Sequence, residues 1–426
     1  MNITTMQSHL FRKVTIVAPG SKHHRKTADL LIENGRIARI ATAIEHAGAI
    51  VHEANGLHVS PGWMDLQAHL CDPGYEHRET LETGAAAAAA GGFTATLVMP
   101  DTLPVTQTKA GIEYILRRSA HFATELVPAG ALSVNLEGKE LAELYDMHLA
   151  GAKAFTDGNQ PVNHAGLLVR ALMYAHNFGG RIHVRCDDKS ISAGGQMHEG
   201  VMSTSLGLKG IPALAEELMV ARNIYLAEYA GTPVHLMALS TARSVQLVRE
   251  AKAKGLPVTA AVHAVNLFLT DEALADFDTN YKVNPPLRGE EDRKALLAGL
   301  ADGTIDCITS GHLPEDAESK VVEFDLAHFG MLGLETAFAL ASTTAALSTE
   351  KLVELLCHNP RHITGMPLPA IEEGETANLT FFCPTLKWTF EKAHIRSLSA
   401  NTPFAGTAFT GKVYGVYNRG VFAGTE

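Results

Sequence analysis

The feature that most constrains this chain is an alternation. From about residue 57 to residue 312, eight short apolar, β-branched segments alternate with segments of helical periodicity. The segments are LHVSPGWMDLQAH, TATLVMPDT, ELVPAGALSV, GAKAFTDG, RIHVRCD, TPVHLMALS, LPVTAAVHAVN and TIDCITSGH. Between two of them, STARSVQLVREAKAKG sets Leu247, Val248 and Ala251 on one face, offers Ser240 or Thr241 as a cap, and ends at Gly255. Eight strands alternating with helices over about 250 residues fit a closed (β/α)8 barrel better than an open sheet.

The two ends read differently. Residues 10–55 carry KVTIVAPG and ADLLIENGRIARIA, strands joined at the turn signal Asn34-Gly35, and residues 376–426 carry TANLTFFCP and GKVYGVYNRGVFAG. The expected organisation is an α/β chain: a barrel over 57–371, with a small β-domain composed of 1–56 and 372–426. The Ala-rich tract GAAAAAAGGFTATLVMP is broken by Gly91 and Gly92, so it reads as helix then strand rather than a membrane span.

Composition narrows the function classes. A net charge of −11 disfavours polyanionic partners, so neither nucleic acid nor an anionic membrane is expected. The five cysteines, Cys71, Cys186, Cys307, Cys357 and Cys383, are scattered without a C-x-x-C pair. They read as reduced thiols of a cytoplasmic protein, and MNITTMQSHLFRKVT lacks the apolar stretch of a signal peptide.

In a barrel of this kind chemistry sits at the carboxyl ends of the strands. Those ends supply Gln67 and His69; Asp101; Asp157; His183, Arg185, Asp187 and Asp188; His235 and Ser240; His263 and Asn266; His312 and Glu315. A strand-end histidine is first of all a hydrogen-bonded barrel residue, so their number does not by itself establish a metal site.

Long blocks of the chain resemble the dihydroorotases, within the cyclic amidohydrolases. PGWMDLQAHLCDPGYEHRETLETGAAAAAAGGFTATLVMPDTLPV is similar to the family's opening block, in which D-x-H-x-H-x-R-x-P-G is followed by M-P-N-T. GGQMHEGVMSTSLGLKGIPALAEELMVARNIYLA, YKVNPPLRGEEDRKALLAGLADGTIDCI, EFDLAHFGMLGLET and NTPFAGTAFTGKVYG match as well. The resemblance implies a (β/α)8 barrel with a composite β-domain and a one- or two-zinc site that interconverts dihydroorotate and carbamoyl aspartate in pyrimidine synthesis.

The departures fall on the implied ligand positions. The family's first His-x-His is Gln67-Ala68-His69, the strand-five histidine is Arg185, the strand-six histidine is Ala238, and the strand-eight aspartate, metal ligand and proton shuttle, is Gly311. The last histidine of the family's T-D-H-A-P-H is Glu315. Only His69 and Asp157 survive of that set. Gln67 offers a neutral amide oxygen to a borderline-soft cation, and Ala238 and Gly311 offer no donor. A fixed charge at Arg185 repels a dication by several kcal/mol at about 4 Å and an effective dielectric of about 20. The expected metal content is therefore none, and no general base is expected, its position being Gly311.

The implied substrate pocket has changed too. The Arg of H-x-R and the Asn of M-P-N-T are Cys71 and Asp101, while Asn284 in KVNPPLR survives. An ion pair of Arg185 with Asp157 or Asp187 is one expected filling of the vacated metal position. A relocated metal site on His69, His183 and Asp157 is another, disfavoured because His183 is expected a layer deeper. His235 reads as structural, and Cys71 lacks an evident base to make it a nucleophile.

Three functions remain open. The first is a dihydroorotase-like protein without catalysis, cofactor-free, a homodimer and a structural or regulatory partner of aspartate carbamoyltransferase, as the resemblance implies for homologues lacking the ligands. The second is an active zinc-dependent cyclic amidohydrolase acting on dihydroorotate or a related cyclic amide. The third is a binding module whose Arg185 pocket holds a small anion.

Overall fold

The computed structural model describes residues 7–425, so residues 1–6 of the opening segment lie outside the described residues. The N-terminal part supplies β1 (His9–Ile16), β2 (Thr27–Glu33), β3 (Arg36–Ala41), β4 (Ile50–His52) and β5 (His58–Pro61). The eight barrel strands are β6 (Trp63–Ala68), β7 (Phe93–Val98), β8 (Glu125–Gly130), β9 (Ala154–Phe155), β10 (Ile182–Arg185), β13 (Val234–Met237), β14 (Val258–His263) and β15 (Cys307–Thr309). Between β10 and β13 lies a short parallel ribbon of β11 (Met197–His198) and β12 (Gly210–Ile211). The C-terminal part adds β16 (Leu379–Phe390), β17 (Thr407–Asn418) and β18 (Val421–Gly424).

The barrel strands are parallel and hydrogen-bonded in chain order from β6 to β15. A parallel bridge between Ala68 and His312 brings the last strand back to the first, and His69 N donates to His312 O at 2.9 Å. All eight expected strands are present, and the fold is the expected (β/α)8 barrel. Side chains from alternate positions, among them Met64, Leu66, Leu97, Val127, Ala154, Met237, Ala261 and Cys307, form a buried cluster apart from the larger core beneath the helices.

The terminal strands form one sheet, ordered β18-β17-β16-β5-β1-β2-β3 with β4 beside β1. Both ends therefore meet, through antiparallel pairing of β5 with β16. Two of its hairpins turn on adjacent residues of positive φ, Asn34-Gly35 and Arg419-Gly420, which suits the right-handed twist of the paired strands.

The expected strand over 57–69 is in fact two. β5 belongs to the terminal sheet and β6 opens the barrel, and the change of partner occurs at Gly62. A Cβ there would lie 2.0 Å from Asn378 Oδ1 and 2.1 Å from Thr94 Oγ1, so only glycine fits between the two units. Buried Arg361 donates to Gly62 O from Nε (3.1 Å) and Nη2 (2.9 Å), tying the crossing point to the helix Asn359–Thr364.

Candidate functional site at the carboxyl ends of the barrel strands

His69, one residue beyond β6, is buried with both ring nitrogens engaged. Nδ1–H donates to Asp101 Oδ1 at 2.9 Å, which leaves the lone pair on Nε2 to accept from the Asn159 amide at 3.2 Å. Burial pushes the Asp101 carboxyl up, but the electrostatic pull and hydrogen bond of the His69 Nδ1–H, with backbone N–H donors, outweigh it, and the net shift is downward.

Asp157, two residues past β9, is turned toward the neighbouring loop. It accepts from Leu132 N (3.0 Å), Ser133 N (2.8 Å) and Ser133 Oγ (2.5 Å). Even so, desolvation leaves its pKa above the ordinary carboxylate value. Gln67 Oε1 accepts from His263 Nε2 at 3.1 Å. Burial, helped by the charge of Arg185, takes the His263 pKa down to about 3, so this ring is neutral at physiological pH.

The His263 ring also lies against Gly311. Gly311 has φ +61°, and a Cβ built on it would fall 2.6 Å from His263 Nδ1 and 2.7 Å from Cγ. Its side-chain space is thus occupied by imidazole. Ala238, with φ +51°, contributes only its methyl group and belongs to the apolar barrel interior.

Arg185 does not form the expected ion pair. Asp157 has spent its oxygens on Leu132 and Ser133, and Asp187 is bound by Lys189 Nζ at 2.7 Å. Arg185 instead reaches across to Asn284, Nη2 donating to Oδ1 at 2.8 Å, while Nε and Nη1 have no hydrogen-bond partner among the described residues. Arg185 is 3% exposed, and desolvation lowers the guanidinium pKa against the opposing pull of Asp187 and Glu216.

The relocated grouping of His69, His183 and Asp157 is not assembled either. His183 is the second residue of β10, in register with His235 at the second position of β13, and both lie near the amino-terminal ends of their strands. Among the described residues no three His, Cys, Asp or Glu side chains are grouped so as to hold a metal ion. Burial raises the Cys71 thiol to about 12, so it is no thiolate nucleophile. Asn266 Nδ2 donates to Pro286 O at 3.1 Å, a structural bond.

His312 and Glu315 were among the strand-end candidates, but their partners, and Asp65, were missed from sequence. His312 Nδ1 accepts from Gly333 N (3.3 Å) and Leu334 N (3.4 Å), and Nε2 faces Glu79 Oε2 at 3.4 Å. Glu79 also accepts from Thr83 Oγ1, Ser397 Oγ and Leu398 N. Glu315 is held by Arg78 and by His328 at 3.2 Å. Asp65 accepts from Ser310 N (2.7 Å) and Oγ (2.9 Å), bonding the first barrel strand to the segment after the last. Asn159 lies two residues beyond Asp157, a local signal, whereas His312 and Glu79, Glu315 and Arg78, and Asp65 and Ser310 pair across more than 200 residues.

A parallel eight-stranded barrel with polar strand ends and a composite sheet from both termini is the architecture of the cyclic amidohydrolases. The structure superposes on L-hydantoinase (dihydropyrimidinase) from Arthrobacter aurescens with a TM-score of 0.84 and 25% identity, covering 98% of this chain and 96% of that one. Residues 56–244 match the family described as dihydro-orotase-like. The chain is 48% identical to a dihydroorotase of Pelotomaculum thermopropionicum over 90% of its length and 91% of the relative's. It is 43% identical to a dihydroorotase of Syntrophus aciditrophicus over 90% and 92% respectively. This chain belongs to the dihydroorotase family.

Proposed function

We propose that this protein serves pyrimidine biosynthesis without opening the dihydroorotate ring itself, as a structural or regulatory partner of aspartate carbamoyltransferase. The observation that carries this is the imidazole of His263 lying where a side chain at position 311 would project. No acid stands there to accept a proton, and substituting one would displace His263.

The donor set does not fit zinc. The Nε2 lone pair of His69 is engaged by Asn159, Asp157 is caged by three donors, and the Gln67 oxygen is bonded to His263. A guanidinium stands at 185 among these groups. Zinc measured by elemental analysis after purification without chelator is expected well below one equivalent. Ring opening of dihydroorotate with zinc supplied is expected at background; robust turnover would overturn the reading in favour of an active cyclic amidohydrolase, the function the relatives' names favour.

The partner role draws support from the helix Ala213–Ala230. Leu214, Leu218, Tyr225 and Tyr229 are exposed on it, and offsets of four, seven and four residues align them as one stripe. Aromatic-rich apolar stripes are the composition of protein interfaces. Co-expressed aspartate carbamoyltransferase should co-purify with the wild type and be lost with L218E/Y225E. Retention by that variant removes the stripe from the interface, and no co-purification of the wild type ends the partner reading.

A second reading has its own observation: the two unpartnered donors of buried Arg185 suit a small carboxylate bound at the mouth. Carbamoyl aspartate titrated into the wild type and R185M tests it, with saturable heat expected only from the wild type.

A further inference from the structure

At the opposite end of the barrel, the amino ends of β10, β13 and β14 surround a cavity of about 200 Å3. Its polar lining comes from Arg181, His183, His235, Thr259 and His362. The rest is apolar or proline, and no carboxylate lines it. His183, His235 and Thr259 face one another by strand register, and the imidazole centroids of the first two are 4.6 Å apart.

Both imidazoles are nine-tenths or more buried, yet neither nitrogen of His183, nor Nε2 of His235, has a hydrogen-bond partner among the described residues. The one bond made is between His235 Nδ1 and Thr259 Oγ1 at 2.9 Å. A buried polar group without a partner costs about 1–3 kcal/mol, and three such atoms on the two histidines that line the cavity point to something that satisfies them.

We propose that this foot of the barrel is a second binding site, for a small oxyanion of the phosphate type, formed by Arg181, His183 and His235. A neutral imidazole presents one N–H, and two such donors beside a guanidinium at the rim match an acceptor-only ligand. Lys252 also acts on His235, and is itself paired with Asp306 at 2.7 Å. A cation is disfavoured, because Arg181 opposes it and only two buried nitrogen ligands are near. A cavity of about 200 Å3 admits a tetrahedral oxyanion with accompanying water. The site is independent of the function proposed for the mouth.

The test is calorimetric titration of inorganic phosphate into the full chain, with 13C-labelled histidine to report the rings. Saturable binding at low millimolar concentration or tighter is expected, with shifts of the His183 and His235 ring resonances. R181A, altered at the half-exposed rim, should weaken binding about tenfold or more, H183L should abolish it, and R185M should leave it unchanged. No saturable binding below about 10 mM overturns the proposal. So does binding lost in R185M but kept in R181A, which locates the anion at the mouth, or binding indifferent to all three substitutions, which is unspecific.

Discussion

β10 and β14 carry polar side chains at both ends, and the ends are furnished differently. At the carboxyl ends, His263 is hydrogen-bonded to Gln67 and Arg185 to Asn284, and beside them Asp157 holds three donors and His69 two partners. Among the described residues there, Arg185 keeps two donors and Asn266 Oδ1 an acceptor without a partner. At the amino ends of β10 and β13, two buried imidazoles share a single side-chain bond. The difference teaches that a site can be closed from within. Where neighbouring side chains answer most polar atoms of a mouth, little beyond Arg185 is left there for an outside ligand, and other open groups lie at the far end of the same barrel.

The two ends nevertheless share one response to acid, and it is the largest effect expected. Burial holds His183 and His263 near a pKa of about 3, with Arg181 and Arg185 respectively adding to the depression, and His235 shifts the same way. Their unfolded pKa is close to 6.5, so between about pH 6.5 and 3 the unfolded chain binds more protons than the folded one. Stability therefore falls as pH falls through that window. From pH 7 to 5 each of the two contributes a loss of about 2 kcal/mol, roughly 4 together. Urea unfolding at the two pH values checks it. An unchanged midpoint would mean that the imidazoles are wetter than their burial implies, and the contrast between the ends would lose its basis.

The next effect isolates the mouth. Asp157→Ala strands three buried donors, each worth about 1 kcal/mol, so a loss of about 3 kcal/mol is expected in metal-free buffer. A loss well under 1 kcal/mol would indicate a carboxylate free for another role, such as binding a cation. The same variant should leave zinc content unchanged.

How much of this was legible in the sequence follows from the range of the interactions. Short apolar, β-branched runs alternating with helical segments marked all eight barrel strands, and Asn34-Gly35 marked its hairpin, because these signals are local. The division of the first run at Gly62 was not, since it depends on Asn378 and Thr94 crowding a backbone more than 30 residues away. At the site the substituted identities, Gln67, Arg185, Ala238 and Gly311, could be read directly. Who answers them could not: Arg185 finds Asn284 across 99 residues and His263 finds Gln67 across 196. The expectation for Arg185 failed because both candidate carboxylates had closer suitors, Ser133 and Lys189, that the strand pattern does not rank.

The smallest effect has the opposite sign and tests the foot. His183→Leu replaces an imidazole lacking protein partners by an apolar group of similar bulk. In phosphate-free buffer it should raise stability by about 1 kcal/mol, because the cost of the unanswered nitrogens disappears. His263→Leu at the mouth should lower it, since Gln67 loses its partner. Phosphate should stabilise the wild type in proportion to its occupancy and leave His183→Leu unmoved. A stability gain bought at the expense of binding is the pattern expected where a fold keeps a polar group for a ligand rather than for itself. If His183→Leu instead costs 1 kcal/mol or more, its nitrogens are satisfied within the folded chain, and the two ends of the barrel are alike after all.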